Sequence, residues 1–286
     1  LIMWVAGWSL FCVSLTAVTV PVVPEPGDFR YGGPGARVVA RGLDNPRGMA
    51  FGPRGELYVA EAGRGGDTAC RPGPAGDRIC DGPSGAVSVV DFGHQWRVVS
   101  RLPSTAPVTG DHASGVADVA VGADGDLIHV GDSDRDLVAV LAVDRGRLVV
   151  DATGSALLLI TARGRVRTVA TFPGRAVSSV AEGPDGAWYV GERARIWRVV
   201  PGHEPQVWAG GFTRIVDLAW SPEGRLYVLE SGALLRVDGG GARTVVLSAG
   251  LTDPGGLAIR GGEAYVSNCG SCRGIGTILR VGLPER

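Results

Sequence analysis

Six side chains able to ligate a cation or carry a proton close successive short apolar runs of this chain: Glu61, Asp132, Asp151, Glu192, Glu230 and Asn268. The clearest runs are Leu-Tyr-Val-Ala-Glu ending at Glu61, Trp-Tyr-Val-Gly-Glu ending at Glu192 and Leu-Tyr-Val-Leu-Glu ending at Glu230. In a closed array, equivalent positions face one end, and a ring of carboxylates there could supply the flexible oxygen cage that Ca²⁺ takes. Such a cation could polarise a substrate carbonyl, as in metal-assisted ester hydrolysis. A structural reading competes with this one. A carboxylate after a strand commonly accepts backbone N–H groups of the next turn, and six copies are more than one active site needs. Asp118 and Asp217 are sharper candidates, because the corresponding positions elsewhere hold Gly48, Ser179 and Gly256. Both are expected near a channel mouth as the candidate Ca²⁺ ligands, with His112 in the loop before Asp118. A lone histidine there is as well explained as a loop residue.

The cysteines offer a second chemistry. Besides Cys12 there are Cys70, Cys80, Cys269 and Cys272, an even number that suits disulfides in an exported domain. Local pairing, Cys70 with Cys80 and Cys269 with Cys272, is the expectation. Cross-pairing and a single zinc site using all four thiolates stay open. No nucleophile elbow, zinc-protease helix or phosphate-cradling loop is present in the sequence.

These residues are placed by a repeat. The turn glycines Gly186, Gly224 and Gly262 are spaced 38 residues apart, a period at which each unit buries its apolar face against a neighbour. Each unit carries about four short Val/Leu/Tyr-rich runs bounded by Gly, Pro and Asp, which read as strands. Four antiparallel strands per repeat make the blade of a β-propeller. The fold expected is all-β: six four-stranded blades with turns at Gly55, Gly125, Gly146, Gly186, Gly224 and Gly262. Gly125 and Gly146 are too close for a full blade, so the second is expected to be truncated to two strands, with a five-bladed ring as the alternative. The last unit has three strands, and Arg37–Ala40 is expected to supply its fourth, which removes two open sheet edges. Trp188, Trp197, Trp208 and Trp220 recur at strand positions and read as packing between blades.

The 286 residues are 45% hydrophobic with 46 Gly and 18 Pro, as expected of one turn-rich domain with an ample core. A net charge of −1 leaves no broad electrostatic footprint for nucleic acid. All 28 cationic side chains are arginine. Residues 1–23 are uncharged and long enough to span a bilayer or to serve as an export leader. Residues 24–35 read as a linker and 36–286 as the propeller. Contact with a membrane is expected only through residues 1–23, and the location expected is secreted, extracellular or periplasmic.

The phrases Gly-Leu-Asp-Asn-Pro-Arg-Gly-Met-Ala-Phe-Gly-Pro (42–53), Leu-Tyr-Val-Ala-Glu-Ala-Gly-Arg-Gly-Gly (57–66), the Cys70/Cys80 pair and Gly-Pro-Ser-Gly-Ala-Val (82–87) resemble the opening of the ScyD/ScyE family of exported propellers. The segments 195–202 and 211–219 are similar to its later blades. The resemblance covers most of residues 36–282, departs between Asp132 and Leu137, and carries no catalytic motif. With no obvious base or nucleophile in the sequence, the expectation is a non-catalytic propeller of this type that binds a small molecule or a protein on its loop face. The competing expectation is a metal-dependent hydrolase or lactonase-like enzyme with Asp118 and Asp217 at the channel mouth.

Overall fold

The computed structural model describes residues 35–284, except 75, 132–135, 175 and 240. The expected leader, the linker up to residue 34, and Asp132 lie outside the described residues. The chain is a β-propeller of small antiparallel sheets. Strand β1 (Ala36–Leu43) is followed by β2 (Pro46–Phe51), β3 (Leu57–Glu61), β4 (Thr68–Pro72), β5 (Arg78–Asp91) and β6 (His94–Pro107). Strands β2 to β6 form one sheet, ordered β2-β3-β5-β4 with β6 also on β5. A two-stranded ladder comes next, β7 (Val116–Val121) and β8 (Leu127–Gly131).

Three four-stranded sheets complete the described chain up to its last sheet. The first of them holds β9 (Leu137–Val143), β10 (Gly146–Asp151), β11 (Ala156–Thr161) and β12 (Val166–Thr171). The next holds β13 (Val177–Glu182), β14 (Trp188–Glu192), β15 (Arg195–Val199) and β16 (Gln206–Gly210). Then follow β17 (Ile215–Trp220), β18 (Leu226–Glu230), β19 (Leu234–Val237) and β20 (Arg243–Leu247). The last sheet is β21 (Gly256–Arg260), β22 (Glu263–Asn268), β23 (Gly276–Gly282) and, on its outer edge, β1. Ala36 pairs with Val281 and Leu43 with Gly276, so the start of the propeller closes onto its end as expected. Among the described residues five sheets reach four or more strands. The full six-by-four arrangement is not present, because residues 116–131 supply two strands only.

Local sequence explains the strands. Within the repeat, Leu226 and Val228 are fully buried on one face while Tyr227 and Leu229 are buried on the other, as expected for sheets packed on both sides. The turn ahead of β18 closes with Gly224 donating its N–H to the Ser221 carbonyl. Gly224 takes φ 75° there, a conformation that costs glycine little.

The core is divided into clusters lying between successive sheets. Ala181, Tyr189 and Ile196 meet Phe212, Leu218 and Val228 at one such boundary. Leu148, Val150 and Leu157 meet Val180, Val190 and Trp197 at another. Fully burying one Leu or Ile contributes about 1.5–3 kcal/mol, so each boundary carries several such contributions. The tryptophans do pack between sheets: Trp220 on β17 stacks edge-on with Tyr189 and Trp208 of the preceding sheet at centroid distances of 4.9 and 6.2 Å. Trp197 packs on Phe172 at 5.8 Å, and Trp188 lies against the same cluster.

Two strands are longer than the repeat predicts. Strands β5 and β6 each run 14 residues. Ala86 pairs with Glu61, so residues 78–85 continue beyond the end of β3, where β4 joins them. The Cys70–Cys80 disulfide staples this extension and Cys269–Cys272 closes the loop after β22. Local pairing is therefore what the chain adopts. Cys70 and Cys80 lie on paired strands instead of in a loop, because β4 and β5 extend the first sheet.

Candidate functional site

In the five sheets of four or more strands, the residue that closes the second strand lies beside the loops at one end of the sheet, and in all but Glu192 a side-chain oxygen accepts a backbone N–H. Glu61, almost wholly buried, accepts hydrogen bonds from Asp44 N at 2.7 Å and Ser88 Oγ at 2.6 Å. It also accepts two from Arg97, whose guanidinium bridges to Asp44 at 3.0 Å. These partners hold Arg97 firmly in its charged form. Glu230 accepts the Thr213 N–H, Asn268 accepts that of Thr252 at 2.7 Å, and Asp151 accepts that of Gly154 at 2.7 Å. Glu192 accepts the Trp197 indole N–H at 2.7 Å. In three sheets the acceptor thus fixes the loop that leads into the innermost strand of its own sheet. This gives the ring a structural occupation.

Asp118 and Asp217 sit one layer deeper. Their main chains occupy the same register on β7 and β17, each opposite a bulge. Asp118 accepts Val119 N with Oδ1 and Val140 N, on the next inner strand, with Oδ2, both at 2.8 Å. Asp217 repeats this with Leu218 N at 2.8 Å and Leu257 N at 2.7 Å. Each carboxyl ties two neighbouring inner strands at the waist of the channel. Burial pushes the Asp217 carboxyl up to about 7. Burial, then the negative charge of Asp217, lifts Asp118 well above the ordinary carboxylate range. Gly48 makes room for this: a Cβ on it would stand 1.8 Å from Asp118 Oδ1. Among the described residues no three His, Cys, Asp or Glu side chains are grouped to hold a metal ion. His112 is exposed with φ 53°, and its backbone N–H donates to the Ser271 carbonyl at 2.9 Å.

Above the waist, at the end where the inner strands begin, lies a cavity of about 870 Å³. Much of its wall is small: Ala113, Gly115, Ala117, Ala152, Ser178 and Gly255. Asp118 and Asp217 are not on that wall, nor are Glu61, Glu192, Glu230, Asp151, Asn268 or His112. The charged lining instead comprises Arg47, Arg193, Arg214, Asp136 and Asp253. Arg47 follows the fully buried Asn45, whose Nδ2 donates to the carbonyls of Gly63 at 2.7 Å and Gly110 at 2.9 Å. Asn45 Oδ1 accepts Ala113 N at 3.3 Å, and the Ala113 carbonyl accepts Arg47 Nη2 at 3.0 Å. Asn45 N donates to the Cys272 carbonyl at 2.8 Å, which ties the disulfide loop into the same knot.

Burial lowers the Arg47 pKa, Asp253 opposes that shift, and the positive charge of Arg214 adds to it. Arg193 and Arg214 are adjacent, since Ile215 N donates to the Arg193 carbonyl at 2.8 Å. These arginines are absent from the candidates drawn from sequence. With every cation an arginine, type gave no contrast, and only their position beside blade-equivalent small residues could have singled them out.

No protein-family model matches the chain, and no curated protein matches it. Solved structures do. An auxiliary nutrient binding protein from Bacteroides thetaiotaomicron aligns at 11% identity and TM-score 0.61, over 84% of this chain and 69% of that one. A gluconolactonase from Xanthomonas campestris aligns at 10% identity and TM-score 0.58, over 87% and 89%. At these identities the likeness is one of fold: this chain is a β-propeller similar in architecture to both.

Proposed function

We propose that this protein is an exported, non-catalytic propeller of the ScyD/ScyE type that binds a small molecule in the cavity above its channel waist. The observation that carries the reading is the cavity itself. It is concave, of a size that suits a small ligand, and walled by small side chains around one half-buried guanidinium. The rigid sheets hold its rim, and loops on such a scaffold are where binding resides. Two disulfides support an oxidising, extracellular or periplasmic location, and a propeller that binds nutrients has a similar fold.

The two-stranded β7–β8 ladder counts in this reading as a sixth, truncated blade. Val116 and Val119 pack with Val87 of the first sheet, while Ala120 and Val130 pack with Val140 and Val149 of the sheet after it. The ladder fills a blade's place between its neighbours.

A metal-dependent hydrolase on Asp118 and Asp217 is the less favoured alternative. All four of their carboxyl oxygens already accept backbone N–H groups, and neither lines the cavity. The test is a ligand screen by thermal shift on the parent and on Val216→Trp, which fills the cavity from β17. Hits lost in the variant support the site. Hits that bind both equally place recognition elsewhere on the molecule.

A further inference from the structure

We propose that the cavity is an oxyanion site, in which Arg47, Arg214 and Arg193 together bind a small organic molecule carrying a carboxylate or phosphate group. This rests on the cavity being the binding site. Three observations carry it. The first is convergence. Arg193 and Arg214 are backbone neighbours, both line the same cavity as Arg47, and the positive charge of Arg214 opposes that of Arg47. Like charges held together in a concave site are stabilised by a bound counter-charge.

The second is unmet hydrogen-bonding capacity. A guanidinium has five N–H donors. Arg47 is half-buried and spends one of them on the Ala113 carbonyl. The guanidiniums of Arg193 and Arg214 have no ion-pair or hydrogen-bond partner among the described residues. Planar forks of this kind match carboxylate and phosphate oxygens bidentately.

The third is contrast with equivalent positions. The place of Arg193 is taken by Ala62 after β3 and by Ala152 after β10. The place of Arg214 is taken by Gly115 before β7 and by Ala176 before β13. Large cations thus replace small residues at these places of the rim, whose other charged residues are Asp136 and Asp253. Asp253 favours the charged form of Arg47, and the lining around Arg193 and Arg214 stays cationic, so it suits a ligand with one anionic group, its uncharged remainder lying against the small residues.

The test is isothermal titration of the intact, oxidised protein with gluconate, glucose 6-phosphate and glucose, at low and high salt. Binding of gluconate or glucose 6-phosphate at one site per chain, weakened at least tenfold by Arg214→Gln and by Arg47→Gln, is expected. Whichever of the two binds identifies carboxylate or phosphate as the group recognised. Arg193→Gln and Arg214→Gln alter exposed side chains, so they keep the test intact if Arg47→Gln fails to fold. Arg54→Gln, at a side chain 86% exposed outside the cavity, should change nothing. Failure of both anions to bind, or binding indifferent to Arg214→Gln, overturns the oxyanion site. Glucose bound equally well and blocked by Val216→Trp overturns the anion preference and leaves the cavity reading standing. Anion binding unaffected by Val216→Trp overturns both.

Discussion

Replacing Gly48 with alanine should break the tie that Asp118 makes at the channel waist. The added Cβ would lie 1.8 Å from Asp118 Oδ1, 2.5 Å from its Cγ and 3.0 Å from its Cα. A rotation of Asp118 relieves the first two contacts, but the third involves backbone and requires β2 and β7 to part slightly. The rotation also removes the acceptors of Val119 N and Val140 N. A buried N–H left without a partner costs about 1–3 kcal/mol, and water in the channel favours the low end, so the two together cost about 2–4 kcal/mol. Asp118→Ala removes the same two acceptors and should cost a similar amount. Because both substitutions break one pair of bonds, the double variant should lose about 2 kcal/mol less than the sum of the singles. Urea unfolding of the oxidised protein measures all three. A Gly48→Ala midpoint within about 0.5 kcal/mol of the parent, or strict additivity, would refute the waist as described.

Other consequences follow from the same contacts. The Asp217 carboxyl, raised to about 7 in the fold, contributes its full stability below pH ~4 and loses it as pH rises through ~7. The loss has an upper bound of about 4 kcal/mol, reduced by channel water. Asp217→Asn should flatten that decline, so the parent's melting temperature relative to the variant should fall from pH 4 to 7; a constant difference would contradict the assignment. Asn45→Ala leaves three buried backbone groups unpaired, at Gly63, Gly110 and Ala113. It should cost about 2–4 kcal/mol and speed hydrogen exchange at Ala113, and unchanged exchange there would remove Asn45 as the anchor of the Arg47 loop. Glu61→Gln neutralises a buried carboxylate whose partner Arg97 is 41% exposed, so solvent screens the pair and the loss should be about 1.5–3 kcal/mol. Glu230→Gln, which keeps a carbonyl for Thr213 N, should cost under about 1 kcal/mol, and equal losses would show that the ring acids are not distinguished by burial.

The repeat made the sheets legible, because a Gly turn followed by Leu-Tyr-Val marks a strand pair each time it occurs. The closing strand was legible too, since Arg37–Ala40 completes a three-stranded last unit. Strand β9 was harder to see: Ala139 occupies the register of Gly48 and Asp217 without a marker residue. The length of β5 was hidden by Gly82, Pro83, Ser84 and Gly85, turn-type residues that here bend a continuous strand. The acid ring was visible as a pattern, but its use was not, because sequence does not show that Asp44 N or Thr252 N already occupies each oxygen. The arginines stand where other units place small residues such as Ala62, Ala152, Gly115 and Ala176, and that difference becomes meaningful only once the fold brings residues 47, 193 and 214 to one cavity.

A crystal structure of the oxidised protein grown with gluconate or glucose 6-phosphate would show directly whether the cavity holds an oxyanion. Ligand density is expected in the cavity above the Asp118–Asp217 waist, with oxyanion oxygens about 2.7–3.2 Å from the guanidiniums of Arg47 and Arg214. Ligand density on the outer faces of the sheets, or a cavity that excludes both compounds at saturating concentration, would contradict it.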